Sequence, residues 1–114
     1  MHFKFVYKIC YKSEWKKSKI NGKFFGTKKD KSDGYIHFSN KDQVKTTLVK
    51  YFSKKKNLIL LKINTLKLNN LIWEQSSDGN LFPHLYSDLE LSNVSCEYDI
   101  VLNKDGTYRL PLEY

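Results

Sequence analysis

The chain has 114 residues, enough for one domain that buries about two-thirds of the surface its unfolded form exposes. No stretch approaches the roughly 18 apolar residues of a membrane-spanning helix, and residues 1–5 do not begin a secretion signal, so a cytoplasmic protein is expected. The net charge is +8, but Arg109 is the only arginine, which argues against base-specific nucleic-acid readout through arginine forks and leaves at most a nonspecific attraction to RNA.

Phe3, Phe5, Tyr7 and Ile9 alternate with other residues and predict a first strand over 3–10. A short helix follows over 13–20, closed by Asn21-Gly22. Residues 23–34 read as a long basic loop, and long ordered loops are often functional. Asp33-Gly34 turns the chain into a second strand over 35–38. Ser39 is placed to cap a helix over 41–52, with Asp42 completing the box. Val44, Leu48, Tyr51 and Phe52 share one face of that helix and are expected to pack into the core.

The apolar run over 58–63 is too short for a typical helix and predicts a central strand buried on both faces. Residues 71–74 form a short strand, 76–80 a loop, and 81–86 an extended segment, because Pro83 disfavours helix before it. A turn over 89–94, a strand over 95–102 and a last extended stretch over 107–112 complete the order. One α+β domain over 1–114 is expected, with a split, mixed β-sheet and two main helices. Cys10 and Cys96 sit in apolar strands without a Cys-x-x-Cys spacing and are expected to be buried, reduced thiols.

Three groups of residues carry chemistry. His37 and His84 each end an aromatic-rich extended segment; such a pair can act as general acid and base or hold a phosphate, or each ring can be a structural corner bonded to backbone. Glu74 ends a short apolar strand, either as a buried carboxyl with a raised pKa or as a surface residue. Tyr7, Tyr35, Trp73, Phe82 and Tyr86 offer aromatic faces for a base or nicotinamide, or simply fill the core. No residue spacing supports a metal site.

Several segments together resemble the small bacterial family called domain of unknown function 952. They are Tyr7-Lys8-Ile9-Cys10, Trp15, Gly26, Asp30 and Asp33-Gly34-Tyr35-Ile36-His37-Phe38-Ser39, then Leu58-Ile59-Leu60-Leu61, Trp73-Glu74 and Leu81-Phe82-Pro83-His84-Leu85-Tyr86. The resemblance implies an ADP-ribosyltransferase-like fold, in which NAD lies in a cleft between two small sheets. Tyr7-Lys8-Ile9-Cys10 falls at the first motif of that fold, and Tyr35-Ile36-His37-Phe38-Ser39 at its next. The latter segment is most similar to the His-x-Ser strand of the RNA 2′-phosphotransferases. Pro83-His84-Leu85-Tyr86 falls at the third motif. The first motif departs from those enzymes, most of which carry His or Arg there.

The expectation is therefore an NAD- or nucleotide-dependent transferase of ADP-ribosyl or phosphate groups. His37, His84 and Glu74 are the catalytic candidates, and Tyr7, Lys8, Tyr35, Ser39 and Tyr86 the cofactor contacts. A non-catalytic nucleotide- or protein-binding module and a metal-independent RNA hydrolase are the alternatives. The partner is expected to be a small nucleotide, with no membrane.

Overall fold

A computed structural model describes residues 3–114. Strand β1 (Phe5–Tyr11) runs straight into α1 (Lys12–Asn21), followed by β2 (Lys23–Phe24), α2 (Lys28–Asp33) and β3 (Ile36–His37). A 3₁₀ turn over Lys41–Gln43 leads into α3 (Val44–Phe52). The rest of the chain is mostly strand: β4 (Leu58–Asn64), β5 (Leu71–Gln75), β6 (Leu81–Leu85), β7 (Leu89–Glu90), a 3₁₀ turn over Leu91–Asn93, β8 (Val94–Leu102) and β9 (Tyr108–Arg109).

These strands form a four-stranded sheet in the order β1-β4-β8-β9, a three-stranded sheet β3-β6-β5 and the pair β2-β7. The α+β class and the splitting of the sheet follow the sequence reading, but the sheet is not mixed. Every pairing among the described residues is antiparallel. The helices α1 and α3 were expected; α2 is a third.

The apolar run of β4 lies between β1 and β8, and alternation sends its side chains to both faces. Leu58 and Leu60 pack with Tyr7, Ile9, Val44 and Leu48 beneath α3. Ile59, Leu61 and Ile63 pack on the other face with Val6, Trp15, Phe24, Ile36 and Leu85. This strand is the spine of the core, and truncating the fully buried Leu60 to Ala should cost about 2–5 kcal/mol. On α3 the expected core face holds at Val44 and Leu48, but Tyr51 lies on the exposed side. Cys10 is buried, and burial pushes its thiol up to about 12; Cys96 is only half-buried, and the two are not bonded.

One short contact joins the two larger sheets. The Tyr7 N–H donates to the Ser39 carbonyl at 2.8 Å, and the Ser39 N–H donates to the Tyr7 carbonyl at 2.8 Å. Ser39 is thus still strand-like, so the helix cap moves one residue along. Asn40 accepts from the Gln43 N–H at 2.9 Å, and the Gln43 side chain accepts from the Asn40 N–H at 2.9 Å.

The segment read as a long loop is also ordered. Thr27 Oγ1 accepts from the Asp30 N–H at 3.2 Å and Asp30 Oδ2 accepts from the Thr27 N–H at 2.8 Å, a reciprocal box that starts α2.

Candidate functional site

The register of the three-stranded sheet brings the two histidine motifs together. Ile36 pairs with Leu85, and both face the core; His37 pairs with His84, and both face the other way. With a side-chain period of two, Tyr35 joins His37 on that face, and Tyr86 joins His84. Ile72 pairs with His84, so Glu74, two residues on, falls on the same face. The result is an aromatic cluster. Tyr35 stacks on His84 with centroids 4.2 Å apart, lies 4.6 Å from His37 and 5.1 Å from Tyr86, and the two imidazoles are 5.4 Å apart.

Each histidine is oriented by a carboxylate. His84 Nδ1 lies 2.7 Å from Glu74 Oε1, which also accepts from the Tyr86 hydroxyl at 2.6 Å. Glu74 is therefore not a buried carboxyl with a raised pKa. Its side chain is 39% exposed, and the hydrogen bonds from Tyr86 and then His84 lower its pKa. The same bond holds the Tyr86 proton and pushes that phenol up to about 12. Nε2 of His84 has no protein partner among the described residues.

His37 is held more tightly. Its Nδ1 is 2.6 Å from Asp30 Oδ1, its backbone N–H donates to the same oxygen at 3.1 Å, and its Nε2 is 3.0 Å from Asp33 Oδ2. The two ring nitrogens thus face two different carboxylates. Asp30 is 2% exposed and Lys8 4%. The Lys8 ammonium donates to Asp30 Oδ1 at 2.9 Å and to the His37 carbonyl at 2.9 Å, and lies 2.7 Å from Asp30 Oδ2. Burial alone would raise the Asp30 pKa. The His37 hydrogen bond, the Lys8 charge and hydrogen bond and the Thr27 N–H outweigh it and hold the carboxyl well below its ordinary range.

A cleft of about 530 Å³ runs past His37, Ser39 and His84, with Lys28, Lys29 and Lys50 among its lining residues. Of the expected cofactor contacts, Tyr35 and Tyr86 stand on the histidine face. Tyr7, Lys8 and Ser39 also line the cleft, and each is held by a partner in the fold. Lys8 is engaged by Asp30 and the His37 carbonyl; the buried Ser39 shares a 3.0 Å hydrogen bond with the Thr47 hydroxyl; and Tyr7 is a core residue, edge-on to Tyr114 at 5.6 Å. Trp73 packs against the core from the other face of β5.

Sequence reasoning gave Asp30 and Asp33 no chemical role. The signal for Asp30 was Thr27-Lys28-Lys29-Asp30, a capping-box pattern hidden among lysines. Gly26 supports it: at φ +103° a Cβ there would stand 2.8 Å from the Asp30 Cβ. No cluster of three or more His, Cys, Asp or Glu side chains suited to a metal ion occurs among the described residues. Nor is any described helix long and apolar enough to cross a membrane.

Protein CC0527 from Caulobacter crescentus has a crystal structure 40% identical in sequence, with a TM-score of 0.86, covering 92% of this chain and 93% of that one. A solution structure of CC0527 gives 39% identity and a TM-score of 0.80 over 96% of this chain and 93% of the other. No curated protein matches the chain. The family model described as protein of unknown function (DUF952) matches residues 9–96, and the chain belongs to that family.

Proposed function

We propose that the protein is a nucleotide-dependent transferase of ADP-ribosyl or phosphate groups, built on an ADP-ribosyltransferase-like arrangement of its two larger sheets, with its ligand in the cleft beside His37 and His84. One observation carries the reading: two histidines from separate motifs oppose each other at 5.4 Å on one cleft wall, each with Nδ1 on a carboxylate. The cleft volume of about 530 Å³ falls within the range of small-molecule and cofactor sites. Lys28, Lys29 and Lys50 supply point charges for a diphosphate, and Tyr35 lends an aromatic face beside the histidines. These residues fit a nucleotide such as NAD.

NAD, when bound, supplies an ADP-ribosyl group activated by its cationic nicotinamide. The chain's own residues do the rest. Glu74 orients the His84 ring and leaves Nε2 to exchange a proton with the ligand. His37, its ring held by Asp30 and Asp33, stands beside it with the ring centroids 5.4 Å apart. Metal-independent cleavage of RNA is the alternative reading, favoured by the same opposed pair of imidazoles; activity without NAD separates it.

The test is thermal denaturation of the full chain with NAD, ADP-ribose, AMP and ATP. A binding nucleotide at 100 times its Kd adds about 2.7 kcal/mol of stability, a shift of several degrees. A flat response to all four nucleotides defeats the reading. Binding without turnover of any ADP-ribosyl or phosphate donor leaves a non-catalytic nucleotide module.

A further inference from the structure

Among the described residues Lys8 is the only buried lysine and Asp30 the only buried carboxylate. Lys8 lies between Val6 and Cys10 on the core face of β1, with Leu61 as its cross-strand partner. An ion pair in such a place is a poor device for stability, because desolvating both charges offsets most of their attraction and an apolar pair serves as well. Its contacts point elsewhere. Asp30 takes the His37 N–H and Nδ1 on Oδ1, and Lys8 takes the His37 carbonyl. The pair thus grips one residue at its backbone donor, its backbone acceptor and its ring.

We propose that Lys8 and Asp30 are positioning residues for His37, fixing Nδ1 as a permanent donor so that only Nε2 meets a ligand in the cleft. The inference rests on the reading of His37 as part of the ligand site. An ionised carboxylate only accepts, so the His37 nitrogen facing Asp30 carries the proton in every state of the ring. Lys8, in contact with both Asp30 oxygens, keeps that carboxylate ionised inside the protein. On the other side of the ring Asp33 is different in kind. It is exposed, 3.0 Å from Nε2, with the solvent-exposed Lys29 ammonium 3.3 Å from its Oδ2. A ligand that reaches His37 displaces Asp33 and leaves the Asp30 contact in place.

The experiment is nitrogen-15 NMR of the imidazoles in the full chain. A single Lys8→Met or Asp30→Asn change strands a buried charge, so the informative protein is the double variant Lys8→Met/Asp30→Asn, which removes both charges at similar volume. The expected result is a folded double variant whose His37 has lost the protected Nδ1 proton and the single tautomer of the native chain, while the His84 signals stay in place. A folded double variant with unchanged His37 signals overturns the proposal. So does a double variant that does not fold, which makes the pair a structural element of the core. These signals need no ligand. A flat nucleotide screen with the His37 change intact defeats the proposed function and leaves the positioning role standing.

Discussion

His37 and His84 stand opposite each other on β3 and β6, yet their supports differ: the carboxylate behind His37 is buried, and the one beside His84 is open to solvent. The same kind of ring therefore sits in a rigid mount on one strand and an exchangeable one on the next.

That difference separates two alanine variants. His37→Ala removes one of the hydrogen bonds to the buried Asp30 and should cost about 1–3 kcal/mol, lowering the melting temperature by several degrees without loss of the fold. His84→Ala frees only an exposed carboxylate, Glu74, but gives up the 4.2 Å stacking on Tyr35, and should cost less, about 0.5–1.5 kcal/mol. Each should lower transferase activity by roughly 10²–10⁴. A His37→Ala protein that is unfolded would mark the ring as structural.

Gly26→Ala should be more harmful than its loop position suggests. The new Cβ meets the Asp30 Cβ at 2.8 Å, in a backbone conformation that favours glycine. We expect a loss of about 1–3 kcal/mol in urea unfolding, together with disturbed His37 NMR signals. A neutral Gly26→Ala would show that α2 can shift without consequence for the Asp30 mount.

Acid should loosen the same mount. The folded Asp30 pKa lies below its ordinary value of 3.8, so the stability it contributes is fully present above that pH and is lost as pH falls toward the folded value. The urea midpoint of the native protein should drop between about pH 5 and pH 2. The Lys8→Met/Asp30→Asn variant should show a shallower drop. Parallel curves for the two proteins would mean that other carboxylates govern acid unfolding.

The Glu74–Tyr86 hydrogen bond predicts a measurable phenol. Tyr86 is pushed up to about 12 chiefly because its hydroxyl donates to Glu74, and ionising it would place two negative charges side by side. Glu74→Gln should bring it back toward the ordinary value of 10.0, read as the difference in tyrosinate absorbance between that variant and the same protein carrying Tyr86→Phe. An unchanged titration would remove the Glu74 contact from the site.

The lysine-rich surface predicts weak contact with RNA. Binding of generic RNA at physiological salt should be weaker than about 10⁻⁶ M, without sequence preference, and should fall further as salt is raised. Tight, sequence-selective binding would favour RNA as the substrate.

Much of the architecture is written in local pattern. Alternation marks β1 and β8, the apolar run over 58–63 marks β4, and Asp33-Gly34 delivers the chain into the strand that carries His37. These signals act over a few residues, where periodicity and turn chemistry operate, so they can be read without knowing what packs where. The capping of the helix after β3 shows the limit of such reading. Ser39 and Asn40 are both good caps, and the choice of Asn40 depends on Ser39 being paired to Tyr7, 32 residues earlier, across the gap between two sheets. The site depends on longer reach still. Nothing near Lys8 announces a buried ion pair, because its partners lie 22 residues away at Asp30 and 29 residues away at His37. Sequence supplied the two histidines and the strands that end in them. Only tertiary structure decided that they face each other, that one is gripped by a buried salt bridge and that the other leans on an exposed carboxylate, because burial and the pairing of charges are properties of neighbours in space.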